Sequence, residues 1–143
     1  MKSLKDISTL KLLAVSICFV ILGISSYAWA AGSNEYKLKA TPKHPNAQGT
    51  AVISETDISI DARGLKPDSV YTIWFVNMKP NKSKTGAGHA PYMFKTDANG
   101  NGSYASSLSA SPVGKWQVVM VVLHPSGDPM DMKHMVGALS AKL

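Results

Sequence analysis

The sequence predicts an all-β protein, an antiparallel, Ig-like or cupredoxin-like β-sandwich of about seven strands with one short helix near the C-terminus. Three observations lead there. Ile58, Ile60 and Ala62 alternate with Ser59 and Asp61, the period of two that marks a strand with one buried face. Val70, Tyr71, Thr72, Ile73, Trp74, Phe75 and Val76 form an unbroken β-branched and aromatic run, which suits a central strand covered on both sides. Short apolar segments recur between turn-forming residues along the whole chain, as they do in sandwiches.

Residues 1–30 read as a cleavable secretory signal: Lys2, Lys5 and Lys11 precede an apolar stretch over residues 12 to 24, and Ala28, Trp29 and Ala30 supply the small residues a signal peptidase inspects. Uncut, residues 12 to 31 would rival this as a membrane anchor, but Ser16, Ser25 and Ser26 dilute a short apolar heart. Cys18 follows Ile17 rather than a small residue, which argues against lipid attachment. The expected location is therefore periplasmic or secreted, with no membrane span after cleavage.

Residues 31–48, carrying Gly32, Ser33, Pro42, Pro45 and Asn46, read as a loosely ordered N-terminal segment with one strand at residues 36 to 40, and residues 49–143 as a single β-sandwich domain. After the strand at residues 58 to 62, Pro67, Asp68 and Ser69 make a turn into the strand at residues 70 to 76. Residues 77 to 90, rich in Lys, Gly, Pro and Asn, form a loop long enough to be a candidate binding loop. Strands at residues 91 to 96 and 103 to 108 flank Asn99, Gly100, Asn101 and Gly102, a hairpin signal. Residues 116 to 123 alternate between two apolar faces and make another strand. Asp128, Pro129, Asp131 and Gly137 have the spacing of a helix cap, first turn and stop, so a short helix is expected there before a last strand at residues 137 to 143.

Composition excludes whole classes of function. The sole cysteine lies in the leader, so the domain has no disulfide framework, Cys-x-x-Cys pair, covalent haem or thiolate metal site. Beyond the leader, 12 basic and 8 acidic residues leave a formal charge of +12 − 8 = +4. Lys37, Lys39, Lys43, Lys79, Lys82 and Lys84 are not interleaved with aromatics on one face, which argues against nucleic acid as a partner.

The run Gly64, Leu65, Lys66, Pro67 through Tyr71 to Asn77, then Phe94, Thr96, Asp97 and Gly100, and finally Gly114, Lys115 and Trp116, resembles small exported bacterial β-sandwich proteins of mostly unassigned function. More loosely it is similar to the extracytoplasmic domain of anti-sigma-K factors, which have a comparable Tyr-x-x-Trp strand and a turn with Asp and Gly. The resemblance implies a fold and a compartment. It does not extend to a sigma-binding region, so it implies no regulatory role.

The residues richest in chemistry come last: His124, Met130, Met132, His134 and Met135. Imidazole and thioether are the ligands left to a cysteine-free exported protein that binds Cu(I). On the expected helix, Met132, Met135 and Val136 share one face and would pack into the core. Met130 and His134 would share another, where copper is bridged if His124 or His89 approaches; the candidate metal ligands are thus His124, Met130 and His134. Asp97, Asn99, Asn101 and Gly102 match half of a calcium loop, but Leu108 stands where a bidentate Glu is needed. Ser106, Ser107, Ser109 and Ser111 have no nucleophile elbow. Trp74 and Trp116 sit in apolar strands and read as core, and His44 reads as solvent-exposed. The sequence thus points to an exported, non-enzymatic binding module of the cell envelope with an unidentified protein partner or ligand. A periplasmic copper-binding protein is the alternative, and a hydrolytic or redox enzyme ranks below both.

Overall fold

A computed structural model describes residues 32–143; the expected signal lies outside them. Those residues form nine strands: β1 (Asn34–Ala40), β2 (Gln48–Ile53), β3 (Asp57–Arg63), β4 (Val70–Asn77), β5 (Ser83–Gly86), β6 (Met93–Lys95), β7 (Gly102–Ser107), β8 (Val118–His124) and β9 (Val136–Lys142). All pairings are antiparallel and join the strands in the order β5-β4-β8-β9-β1-β2-β3-β7, with β6 also on β4. The result is one curled sheet, a half-barrel.

The curl is made at β1. Residues 34 to 38 pair with β2, whereas Lys39 and Ala40 pair with Ser140 and Leu139 of β9. One strand therefore belongs to both halves of the sheet, and the N-terminal segment carries Leu38 and Ala47 into the core. At the far ends, Phe94 of β6 packs where a side chain on Gly102 of β7 would stand: a Cβ there would lie 2.4 Å from the Phe94 ring.

The core fills the concave side. Strand β3 alternates buried and exposed residues without exception, placing Ile58, Ile60 and Ala62 inward. From the other half come Tyr71, Ile73 and Phe75 of β4 and Val119, Val121 and Leu123 of β8. Tyr71 stacks on Phe94 with centroids 5.6 Å apart. Its hydroxyl accepts from the Lys66 amide at 2.9 Å and meets His44 Nε2 at 3.3 Å. His44 is thus half-buried against Tyr71 rather than solvent-exposed, and desolvation pushes its pKa below 6.5. An unfolded chain binds that proton more readily, so His44 leaves stability intact above about pH 6.5 and lowers it as the pH falls through that value. Urea titrations are expected to give a midpoint that drops on acidification from neutral pH, with a shallower drop in His44→Gln.

Two expected elements are absent. No helix forms at residues 128 to 137, because Asp128 and Asp131 bond their own chain two residues on: Asp128 Oδ1 accepts from the Met130 amide at 2.8 Å and Asp131 Oδ1 from the Lys133 amide at 3.1 Å. Such local turns compete with a helix too short to offset its nucleation. Val136 instead begins β9, and Met132 is exposed rather than core. Nor do β6 and β7 pair as a hairpin: β6 adds to β4 and β7 to β3, so the turn between them crosses from one half of the sheet to the other. Asp97 organises that crossing by accepting the Asn99 and Asn101 amides on Oδ1 at 2.8 and 2.9 Å.

Candidate functional site

The convex side of the half-barrel carries the chemistry. Strand register lays its β4–β8 region out in four rows: Lys95, Val70 and His124; Met93, Thr72, Val122 and Gly137; Gly86, Trp74, Met120 and Ser140; Lys84, Val76, Val118 and Lys142. Continued by one residue, the β8–β9 register sets Met135 opposite His124 at the end of the first row. The unbroken apolar run of β4 arises because its inward residues meet the core while its outward ones, Val70, Thr72, Trp74 and Val76, support this second face. Trp74 is consequently half-buried there and not a core residue.

A hydrogen-bonded chain crosses these rows. Trp74 Nε1 donates to Thr72 Oγ1 at 2.7 Å, and Thr72 Oγ1 lies 2.7 Å from His124 Nε2. Thr72 and His124 are 0% and 2% exposed. The other imidazole nitrogen of His124, Nδ1, is buried with no hydrogen-bond partner. An unpaired polar atom in such a place costs about 1–3 kcal/mol, and native interiors satisfy most such groups.

Methionines share this face with the imidazole. Met93 neighbours Thr72 in its row, and Met135 follows His124 in line; both are half-buried. Met120 leans toward the second row, its methyl carbon 3.5 Å from where a Cβ on Gly137 would stand. Trp74 is shielded on its other side by Tyr92, with centroids 5.6 Å apart, and by Lys84, whose Nζ lies 5.5 Å from the ring centre. Lys84, Lys95 and Lys142 end their rows exposed, a positive rim that favours encounter with anionic partners.

Of the sequence-predicted ligands, His124 is the one on this face with a buried, unpaired nitrogen. Met130 is 73% exposed on the turn after β8. His134 is exposed as well, its Nδ1 held 2.9 Å from Asp131 Oδ2; that bond above all holds the Asp131 carboxyl below its usual pKa. His89 is tied to β7 instead, its amide donating to Ser106 Oγ at 2.9 Å and its Nε2 2.8 Å from Ser107 Oγ. The loop over residues 77 to 90 is likewise anchored: β5 pairs with β4, Gln117 bonds the backbone of Met78 and Lys79, and the Tyr104 hydroxyl donates to the Ala87 carbonyl. Among the described residues no three of His, Asp or Glu gather as a metal-binding group. A concavity of about 1300 Å³ is an open groove with Lys37, Arg63 and Lys95 beside Asp61, Asp68 and Asp97, and no polar side-chain atom there is both buried and unpaired.

Thr72, Trp74, Met93 and Met120 were not foreseeable as site residues from motif spacing. The one available signal was Thr72, the sole residue neither aliphatic nor aromatic in the run over residues 70 to 76. Compared with protein-family models, curated proteins and solved structures, the chain matches none.

Proposed function

We propose that the protein is an exported, non-enzymatic binding module of the cell envelope that holds its ligand on the convex face of β4, β8 and β9, with His124 as the anchoring group. One observation carries this reading: His124 is buried away from the core, its Nε2 is positioned by Thr72, and its Nδ1 is left without a partner. A purely structural position would be met more cheaply by an aliphatic residue, as in the neighbouring Val122. The positively charged, apolar and small-residue succession over residues 1–30 supports export. The Ig-like or cupredoxin-like kinship belongs to the same proposal, supported by the two facing halves of the curled sheet.

Native mass spectrometry of protein purified from the envelope of an expressing host tests both parts at once. The expected chain begins at Ala31 and carries a mass excess that His124→Leu loses. An unprocessed chain in the cytoplasm overturns the export, and a bare chain, or a mass excess indifferent to His124→Leu, overturns the seat.

A further inference from the structure

We infer that the ligand held at this face is a single Cu(I) ion, bound by His124 Nδ1 and by the thioethers of Met120 and Met135; the inference rests on the seat proposed above and names what fills it. A metal-ligating imidazole nearly always has its second nitrogen fixed by a hydrogen bond, which sets the tautomer and aims the ring. His124 has that arrangement with its first position open: Thr72 takes Nε2 at 2.7 Å, and Nδ1 is buried and unpaired.

The proton bookkeeping at the imidazole balances. Trp74 Nε1 can only donate, so it occupies one lone pair of Thr72 Oγ1. Thr72 either donates its own hydroxyl proton to Nε2, which leaves the ring proton on the unpaired Nδ1, or accepts Nε2–H, which frees the Nδ1 lone pair; metal binding takes the second arrangement. Cu(I) then adds to an uncharged ring with no net loss of a proton and no change in oxidation state.

The surroundings select the metal. No cysteine occurs in residues 32–143, and among the described residues no His, Asp and Glu trio is available for zinc or a harder ion. On the β9 side of His124, away from Thr72, the thioethers are Met135, in line with it, and Met120, which leans toward Gly137; thioether with imidazole favours Cu(I). The nearest row-mate cation, Lys95, is separated from His124 by the width of β4, two strand spacings or about 10 Å, and is itself exposed to solvent. Met130 and His134, on their exposed turn, are not part of this set.

Cu(I) competition against a chromophoric chelator, run anaerobically with reductant on the purified protein, tests the assignment, with X-ray absorption on the loaded sample. One ion per chain is expected, with sulfur and a single imidazole in its shell. Affinity should fall at least about 100-fold in His124→Leu and about 10–100-fold in Thr72→Val, with recovery in Thr72→Ser. Because His124→Leu alters a buried site, the Met120→Leu and Met135→Leu variants, which keep their volume, provide a second test: a combined variant that folds and still binds as the parent does overturns the thioether set. Loss of binding in Met130→Leu with His134→Ala, but not in His124→Leu, moves the metal to the turn and overturns the inference. A native mass excess that depends on His124 yet is not copper, with no Cu(I) uptake, overturns the metal while leaving the seat in place. Absence of both overturns the two together.

Discussion

Truncation of Ile73 to alanine is expected to destabilise the protein by about 2–5 kcal/mol, the range for removing a fully buried aliphatic side chain. Ile73 is 0% exposed at the centre of β4, the strand with β8 on one edge and β5 and β6 on the other. Its amide donates to the Tyr92 carbonyl and its carbonyl accepts from the Ala87 amide on the β5 and β6 edge, while β8 pairs along the other edge, so the backbone is held from both sides and cannot move in to fill the cavity. Urea unfolding would read the effect as a lower midpoint at unchanged slope. A loss under about 1 kcal/mol would mean that β4 relaxes freely and is not the spine of the core.

A comparable effect is expected from Gly64→Ala. Gly64 has φ +69, and a Cβ there would lie 2.2 Å from the backbone oxygen of Asn46. Both the left-handed conformation and the collision act against alanine, for about 2–4 kcal/mol together. Gly114→Ala separates the two causes, because Gly114 has φ +80 with nothing within 4 Å of its Cβ position; it should lose only the conformational part, about 1–2 kcal/mol. Equal losses at the two sites would show that the chain near Asn46 yields to the intruding methyl.

The elements legible in the sequence were those whose pattern reports their own burial. The alternation at Ile58, Ile60 and Ala62 announced β3, and the apolar runs announced β4 and β8. The strands overlooked have patterns set by their neighbours. In β2, Gly49 is required because a Cβ would lie 2.7 Å from the Asp61 oxygen, so the stretch that opens on Gln48, Gly49 and Thr50 serves as a strand through its fit to β3. In β5, Ser83, Lys84 and Thr85 are extended because β4 offers a free edge. The helix expected after Asp128 failed for a local reason, since the capping aspartates close turns of their own. The Asn-Gly signal was a true turn, but it could not tell which partners the flanking strands would choose.

The candidate site was legible to a smaller degree. His124 stood out by residue type, yet its companion Thr72 lies 52 positions away in sequence, and only sheet register brings them together. The methionine cluster was read along the chain, where Met130 and His134 looked paired. The fold reads it across strands instead, where Met93, Met120 and Met135 share a face with His124.

The double membership of β1 also bears on timing. Lys39 pairs with Ser140, a separation of 140 − 39 = 101 residues, so one of the first strands to leave a ribosome or a translocation channel waits for the last one to complete its pairing. Contacts of such long range slow folding. For a chain exported in the way proposed here, this delay is useful: the polypeptide stays threadable until β9 has crossed, and the sheet closes only on the far side.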